Sequence, residues 1–277
     1  MNLGFHVSIS KGFKWTFREA QRLSCDAIQI FVKNPRSWTE KKWKDEEVAA
    51  FRELRTGMPV FAHLSYLPNL ARIDEEEKNM KGFLNEIKLC LELGVNSMVV
   101  HCGSREDERK GIETTAAAIN RALDQYDLNI ITETAAGQRN AIGAGFQELA
   151  MIYDRVERKE RVLLCIDTAH IFQYGCDIRK RETWEGIIKM IDGRFGRDKI
   201  GLFHLNDSKT DLGSRVDRHW HIGKGLIGTK AFGFILNDKR FAGLSGVMET
   251  PKTGRMDEIN MNVMRSLLSP LMPGSSA

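Results

Sequence analysis

Short apolar runs recur along the chain, and a longer amphipathic segment follows each of them. The distance from the end of one run to the end of the next is close to the ~30 residues that a strand, a crossover helix and two short loops require. The runs are apolar almost throughout, which predicts parallel strands covered by helices on both faces. The eight runs are residues 3–6, 27–31, 59–63, 97–101, 128–133, 162–167, 200–204 and 246–249.

Between these runs, apolar residues recur at the three- and four-residue spacing of an amphipathic helix. One such stripe covers residues 80–91, with Asp74 as its predicted N-cap and Gly94 as its predicted C-terminal stop. Further stripes cover residues 13–23, 112–123 and 146–153. Because strand and helix alternate through eight repeats, we predict an α/β fold with a closed (β/α)8 barrel (a TIM barrel) rather than an open doubly wound sheet.

The length of the chain suits a single barrel. The sequence has 277 residues, and a (β/α)8 barrel typically needs about 250. No Gly/Ser/Pro-rich linker divides it. We therefore predict one catalytic barrel domain over residues 1–268 and a flexible C-terminal tail over residues 269–277 (SPLMPGSSA).

Charge and cysteine content narrow the setting of the protein. The formal net charge of +4 is a mild basic excess that is compatible with a polyanionic partner and weak evidence for one. The five cysteines form no C-x-x-C pair, which argues against a disulfide framework and a thiolate zinc site and favours a reducing, intracellular (cytoplasmic) location. We find no signal peptide and no apolar stretch of ~18 residues, so we expect no membrane association.

Six of the eight predicted strands end in a residue that can bind a metal ion. In a (β/α)8 barrel the C-terminal ends of all strands meet at one face, where active sites lie. One such residue is usually structural, but six together would crowd the mouth with uncompensated polar groups unless cations were present. The six residues are His63, His101, Glu133, Asp167, His204 and Glu249.

Three further residues extend this set. His170 follows the strand-end Asp167 by three positions, and Asp217 and His219 flank Arg218 in the long loop after the seventh strand. Nine imidazole and carboxylate candidates exceed what one ion can use, because a catalytic zinc takes about three protein ligands and a water. We therefore predict two or three ions. Nitrogen and oxygen ligands without thiolate suit Zn²⁺, with Mn²⁺ or Fe as alternatives.

Eight short motifs occur along the chain. They are residues 4–8 (GFHVS), 31–38 (FVKNPRSW), 63–67 (HLSYL), 101–104 (HCGS), 133–138 (ETAAGQ), 167–170 (DTAH), 204–209 (HLNDSK) and 217–219 (DRH). In these motifs the sequence resembles the endonuclease IV family of abasic-site endonucleases. The motifs occur in the family's order from residue 4 to about residue 250, and the H-x-N-D-S-K and D-R-H motifs are fairly specific to it.

The resemblance implies a (β/α)8 barrel with three zinc ions and with Glu133 as the catalytic residue. It implies that the first ion is bound by His63, His101 and Glu133. It implies that the second shares Glu133 and adds Asp167, His204 and Glu249, and that the third is bound by His170, Asp217 and His219. The implied reaction is hydrolysis of double-stranded DNA on the 5′ side of an abasic site, leaving a 3′-hydroxyl and a 5′-deoxyribose phosphate. We expect the enzyme to be a monomer.

DNA recognition is expected from the loops that follow the strands, where basic residues would contact phosphates. The resemblance implies that Tyr66 and Leu67 wedge into the base stack and that Arg36 helps to fill the gap. His6 is expected to lie just outside the ligand set. The predicted DNA-contacting residues are Lys33, Arg36, Tyr66, Leu67, Lys209 and Arg218, with Arg139, Arg215 and Lys224 near them.

The chain departs from the usual family motifs at three positions, none of which is a ligand. Arg139 follows Gln138 where the family usually has Gly. Ala169 stands in place of Cys, and Cys102 in place of Pro. Arg139 adds charge and bulk beside the mouth, so it bears on how DNA fits against that loop.

Three other functions remain open at this level. A sugar isomerase or epimerase on the same barrel would share strand-end ligands but need only two ions and no basic loops. An amidohydrolase-type metallohydrolase usually has H-x-H on its first strand, where this chain has only His6. A DNA-binding module without catalysis would need none of the nine ligands.

Overall fold

A closed barrel of eight parallel strands forms the centre of the protein. The computed structural model describes residues 1–268; the predicted tail lies outside the described residues. Around the barrel the strands follow the order β1-β10-β7-β6-β5-β4-β3-β2. These strands are β1 (Asn2–His6), β2 (Ala27–Phe31), β3 (Val60–His63), β4 (Ser97–Val100), β5 (Asn129–Glu133), β6 (Val162–Asp167), β7 (Ile200–His204) and β10 (Ser245–Met248). The predicted (β/α)8 barrel is thus confirmed.

Helices connect the strands and cover the outside of the barrel. The four predicted stripes correspond to α1, α3, α4 and α5. Along residues 1–268, none of the helices combines the length and apolar character that crossing a membrane would require. The helices are α1 (Phe13–Arg22), α2 (Asp45–Arg55), α3 (Glu77–Glu92), α4 (Glu108–Gln125), α5 (Phe146–Asp154), α6 (Thr168–Tyr174), α7 (Arg181–Arg194), α8 (Thr229–Leu236) and α9 (Met256–Leu267).

The two ends of α3 show one confirmed and one wrong prediction. Gly94 follows the end of the helix and has a φ of 72°, a conformation that favours glycine. Asp74 does not cap the helix, since the N-cap residue is Glu76. The carboxylate of Asp74 instead accepts a hydrogen bond of 2.6 Å from the buried guanidinium of Arg105, which is a stronger, charge-assisted partner than a helix N–H group.

The inside of the barrel has an apolar floor and a polar mouth. The barrel floor consists of Val99, Ile131, Cys165, Leu202 and Val247, all fully buried. Side chains two positions apart in a strand point to the same face, so the residue two positions beyond each floor residue also points inward. This places polar groups in a layer above the floor. We call this layer the mouth ring; it consists of His6, Gln29, His63, His101, Glu133, Asp167, His204 and Glu249.

The loop after β7 carries residues 217–219 back to the mouth. Within it, β8 (Asp207–Ser208) pairs antiparallel with β9 (His219–Trp220). The fully buried carboxylate of Asp207 accepts hydrogen bonds from five backbone N–H groups of the surrounding loop. One of them belongs to Gly225, where a Cβ atom would lie only 2.4 Å from Oδ1 of Asp207. The loop therefore folds around this carboxylate.

Candidate metal centre

Glu133 lies at the centre of the site, at the end of β5 and wholly buried. Its Oε2 is 3.2 Å from Nε2 of His63 and 3.4 Å from Nε2 of His101. Its Oε1 is 2.9 Å from Nδ1 of His204 and 3.3 Å from Nδ1 of His170. The two carboxylate oxygens thus face different imidazoles, which is the arrangement of a carboxylate that bridges two ions.

A second group of ligand atoms surrounds His204. Its Nδ1 lies 3.3 Å from Oε2 of Glu249 and 3.8 Å from Oδ2 of Asp167. Together with Glu133, these residues each offer a ligand atom within 4.8 Å of the others. Three carboxylates around one imidazole nitrogen suit a hard or borderline divalent cation.

A third group forms beside the mouth ring. Nε2 of His170 lies 3.3 Å from Nε2 of His219, and Oδ1 of Asp217 lies 3.2 Å from the former and 3.5 Å from the latter. Oδ2 of Asp167 is also close, 3.4 Å from Nε2 of His219. Asp167 therefore stands between the second and third groups, a position that its place in the sequence did not indicate.

The hydrogen bonds of the imidazoles show that this arrangement fits metal ions. Three imidazoles lie with Nδ1 against a carbonyl oxygen, which can only accept, so in the neutral ring Nδ1 carries the proton and Nε2 presents a lone pair. Those lone pairs face carboxylate oxygens or each other, which is favourable only with a cation between them. Such pairing of the outer ring nitrogen is typical of metal-binding histidines. The three contacts are His63 to Leu64 at 2.7 Å, His170 to Thr134 at 2.8 Å and His219 to Glu249 at 3.3 Å.

The electrostatics of the site show what balances the carboxylates when protons are the only cations. Burial raises the pKa of Glu133, but the imidazoles of His101 and His204 outweigh it and hold that pKa well below its usual range. Burial likewise opposes ionisation of Asp217, yet its hydrogen bond with His170 lowers its pKa to about 2. The pKa of His170 lies well above its usual value, because nearby carboxylates, Asp167 first, overcome the effect of burial. An incoming metal ion therefore has to displace protons from imidazoles.

An open cavity of about 630 Å³ leads from the surface to these groups. Tyr66 stands at its rim with 62% of its surface exposed, and its ring contacts Phe31 edge-on at 5.2 Å between centroids. The backbone N–H of Tyr66 donates to the carbonyl of Pro35, which ties this loop to the neighbouring loop that carries Arg36. The mouth is thus lined by an aromatic side chain and basic groups, with the imidazole and carboxylate groups at the bottom of the cavity.

The predicted DNA-contacting residues differ in exposure. Arg36, Lys209 and Arg218 are exposed, and Leu67 is half-buried. Lys33 is 7% exposed and close enough to Glu86 for their charges to interact, which leaves little of it for a phosphate contact. DNA contact by each of these residues stays a prediction.

Arg139 and its neighbours form a separate feature of the rim. Arg139 is exposed on the loop after β5 and lines a second cavity of about 320 Å³. Arg215 lines the same cavity and lies over the ring of Tyr174. Glu106 and Glu108 also line this cavity, so the charge there is mixed.

Sequence reasoning missed two residues that touch the ligands. Asn206 is wholly buried; its Nδ2 donates to Oδ2 of Asp167 and its Oδ1 accepts from the backbone N–H of Glu249, both at 2.7 Å. Gln29 contacts Glu249 and His204. The signal for Gln29 was present, since it is the one polar residue in the apolar run AIQIF of β2.

Comparisons with known proteins place this chain in a family. A family model described as a xylose isomerase-like TIM barrel matches residues 17–267. The probable endonuclease 4 of Chloroflexus aggregans is 42% identical, over 96% of this chain and 97% of its own. The probable endonuclease 4 of Persephonella marina is 37% identical, over 97% of each chain. Endonuclease IV from Thermus thermophilus, whose crystal structure is known, has 33% sequence identity to this chain. The two structures superpose with a TM-score of 0.85 over 96% of this chain and 98% of that one.

The chain belongs to the endonuclease IV family. The resemblance indicated by the motifs is therefore confirmed. A D-tagatose 3-epimerase-like protein has a TM-score of 0.73 at 14% identity, which shows a shared barrel and nothing about the reaction. The comparisons favour the endonuclease IV family over the sugar isomerase alternative.

Proposed function

We propose that this protein is a metal-dependent endonuclease that hydrolyses double-stranded DNA on the 5′ side of abasic sites and leaves a 3′-hydroxyl and a 5′-deoxyribose phosphate. The observation that carries this proposal is the convergence of three groups of imidazole and carboxylate ligands, joined by Glu133 and Asp167, at the base of one open cavity. Relatives named probable endonuclease 4 that match nearly the whole chain support the choice of substrate.

The proposed ligand sets follow the three groups. His63, His101 and Glu133 would hold one ion; Glu133, Asp167, His204 and Glu249 a second; and His170, Asp217 and His219 a third. We propose Zn²⁺ in each, with Mn²⁺ or Fe as alternatives, because the donors are nitrogen and oxygen without thiolate. Bound ions of this kind lower the pKa of water towards about 7 and neutralise phosphate oxygens.

The protein's own contribution is to hold these ligands in fixed positions. Glu133 is wholly buried, so its oxygens stay directed at the two imidazole groups. Asn206 ties the carboxylate of Asp167 to the backbone of Glu249 and so fixes the ends of β6 and β10 relative to each other. Such preorganisation places charge where a phosphate can approach without rearrangement of the protein.

The rim of the cavity is suited to duplex DNA with a missing base. We propose that Tyr66 and Leu67 enter the base stack and that Arg36, Lys209 and Arg218 contact phosphates. Tyr66 supports this because it is exposed beside the cavity with its backbone held by Pro35. Extrusion of a nucleotide is easiest where the base is already absent, which favours abasic sites over intact DNA.

The sugar isomerase alternative differs in two measurable respects. It would need two ions rather than three, and its activity would not involve DNA. The third ligand group of His170, Asp217 and His219 therefore supports the nuclease. A monomeric protein acting in a reducing intracellular compartment is the setting that we propose for this reaction.

The decisive experiment is incubation of the purified protein with a duplex that carries one abasic-site analogue, with and without a chelator. We expect a single incision on the 5′ side of the analogue, a product that a DNA polymerase can extend, and loss of incision after chelation. An otherwise identical undamaged duplex is the control. Incision that is insensitive to chelation, or equal incision of both duplexes, would contradict the proposal.

A further inference from the structure

Gln29 occupies the mouth ring between two of the proposed ligands. It is wholly buried in the middle of β2. Its Oε1 lies 2.9 Å from Nε2 of His204, and its Nε2 donates to Oε1 of Glu249 at 2.7 Å. One amide group thus contacts both an imidazole and a carboxylate of the second ligand group.

The chemistry of these contacts fixes the direction of the amide. The carboxylate of Glu249 can only accept hydrogen bonds when ionised, so the NH2 end of Gln29 must face it. The oxygen end then faces His204, and this oxygen can only accept. Nε2 of His204 must therefore carry a proton, so in the neutral ring, the form that binds a metal ion, the lone pair is on Nδ1.

Nδ1 is the nitrogen of His204 that faces the other ligands. It lies 2.9 Å from Oε1 of Glu133 and 3.3 Å from Oε2 of Glu249. Gln29 also binds the opposite oxygen of Glu249, Oε1, which is further contacted by His6 at 3.1 Å. The same amide therefore directs one ligand atom of His204 and one of Glu249 towards a common point.

His204 differs from the other imidazoles in what holds its outer nitrogen. His63, His170 and His219 each use a backbone carbonyl, which no substitution can remove. His204 uses the side chain of Gln29. The orientation of His204 consequently depends on a single replaceable side chain.

We propose that Gln29 is a positioning residue for the second ion: it selects the tautomer of His204 that binds metal through Nδ1 and turns Oε2 of Glu249 towards the same ion. This inference rests on the proposed metal-dependent function. It assigns to Gln29 a role in metal affinity and turnover, and none in DNA binding.

The test compares Q29M with the wild type by metal content and by incision kinetics. Methionine fills similar space and removes both hydrogen bonds. Loss of an outer partner of a metal ligand typically costs about 10–100-fold in metal affinity or activity. We expect wild-type protein to retain three ions after dialysis against a weak chelator and Q29M to retain two, with a fall in kcat of about 10–100-fold and an unchanged KM for abasic DNA.

Two further variants separate positioning from simple loss of stability. Q29N keeps an amide that is one methylene too short to span both partners, and we expect it to lose the same ion. N120L is the control, because the amide of Asn120 also makes two hydrogen bonds, to Arg155 and Glu157, at the opposite end of the barrel. N120L should lower the thermal midpoint while its metal content and kcat stay at wild-type values.

The outcomes distinguish this inference from the proposed function. Three ions and wild-type kcat in folded Q29M and Q29N would overturn the role of Gln29 and leave the nuclease proposal intact. A wild-type protein that binds no divalent metal under any loading condition would overturn both. The absorption spectrum of the Co²⁺-loaded protein gives an independent readout, since loss of one site removes its share of the ligand-field bands.

Discussion

The two oxygens of Glu133 serve different neighbours, and this division cannot be reproduced by an amide. In glutamine one of the two positions becomes an NH2 group, which donates and cannot bind a cation. That position could no longer bind a cation, so one of the two proposed ions would lose a ligand. Because Glu133 is wholly buried, solvent cannot compensate for the change.

We therefore expect E133Q to lose activity while keeping its affinity for DNA. The fall in kcat should be at least about 100-fold, since a ligand shared by two ions matters more than the outer-shell partners whose loss costs about 10–100-fold. Gel-shift affinity for an abasic duplex should stay within about twofold of wild type. Full turnover by E133Q with three ions bound would show that Glu133 does not have this role.

The Asp74–Arg105 pair gives a second residue-level expectation. The hydrogen bond from Arg105 to the carboxylate of Asp74 lowers the pKa of Asp74 below the ordinary value of 3.8. A lowered pKa means that the pair stabilises the folded state above pH ~3.8 and ceases to do so as the pH falls through the folded-state value. D74N should thus be less stable than wild type at neutral pH by about 1 kcal/mol, because the carboxylate is partly exposed.

Urea denaturation across a pH series measures this difference. The gap between D74N and wild type should be constant from neutral pH down to about 4.5 and then narrow in more acidic solution. The nearby Glu75, which also binds Arg105, is left intact in both proteins. A gap that widens on acidification would contradict the assignment.

At the residue scale, the sequence indicated the candidate ligands but not the residues that hydrogen-bond to them and hold them in place. His63, Glu133 and Asp167 stand at strand ends, and strand ends converge in any parallel barrel. The contacts of Gln29 and Asn206 depend on the register between strands, such as the pairing of His6 with Gln29, which no single strand reveals. The wrong cap at Asp74 has the same origin, since its partner Arg105 lies 31 positions away in the sequence.

At the scale of elements, one buried carboxylate organises the backbone of the loop after β7. Oδ1 and Oδ2 of Asp207 both accept backbone N–H groups, among them those of Gly223 and Ile227. β8 and β9 pair directly beside it and place His219 at the third ligand group. The geometry of that group therefore depends on Asp207.

We expect D207N to be destabilised by about 2–3 kcal/mol, because an NH2 group would oppose backbone donors and leave them unsatisfied. D207N should also retain less of the proposed third ion than the wild type. D211N is the matched control, since Asp211 is exposed in the same loop. Chemical denaturation and metal analysis check both effects; wild-type stability in D207N would show that the loop holds without the carboxylate.

The loop that follows β3 is fixed in a comparable way at Ser65. Its backbone N–H donates to the buried carboxylate of Glu86 on α3 at 2.9 Å, and its hydroxyl donates to the same group. Burial raises the pKa of Glu86. The next residue, Tyr66, is thereby presented at the rim on a backbone that is already held, which reduces the entropy lost when DNA binds.

We expect Y66A to weaken binding of abasic DNA by roughly tenfold or more, because stacking of a base on an aromatic ring contributes about 1–3 kcal/mol. Y66F keeps the ring and should bind like wild type. Titration of a fluorescent abasic duplex under conditions without turnover measures the affinities. Equal affinity for Y66A and Y66F would remove Tyr66 from the DNA interface.

The elements themselves were predictable to different degrees. Strands β2, β6 and β7 have the predicted bounds, because continuous apolar runs between polar loops leave little freedom. Helix α2 was not recognised, since Phe51 is its only wholly buried side chain and a stripe of one residue gives no period. Helix α6 begins directly after the last residue of β6, so no loop separated the two in the sequence.

At the scale of the whole molecule, we expect the proposed metal centre and the stability of the barrel to be coupled. The ligands lie at the ends of β3, β4, β5, β6, β7 and β10, in α6 and in the loop after β7. Removing ions would leave buried carboxylates such as Glu133 and Asp167 facing one another with only imidazolium protons between them. Ions that bind only the folded chain stabilise it by mass action.

We expect chelation to lower the thermal midpoint of unfolding. Binding at about 100 times the dissociation constant contributes about 2.7 kcal/mol per site, and 1 kcal/mol shifts the midpoint of a domain of this size by about 2–4 °C. A fall of at least about 5 °C is therefore expected, with recovery on addition of Zn²⁺. Scanning calorimetry in matched buffers measures the thermal midpoint. A midpoint that changes neither with chelator nor with Zn²⁺ would contradict the presence of buried ions.

The barrel floor bears on how metal ions and DNA reach the site. Val99, Ile131 and Leu202 lie fully buried below the ligands, and the open cavity that reaches His63 and Glu249 lies on the other side. We place the duplex at that cavity. DNA bound there would cover the proposed ions, so we expect ions that are present when DNA binds to remain until the nicked product dissociates. Exchange of ions with the solution would then occur only in the DNA-free enzyme.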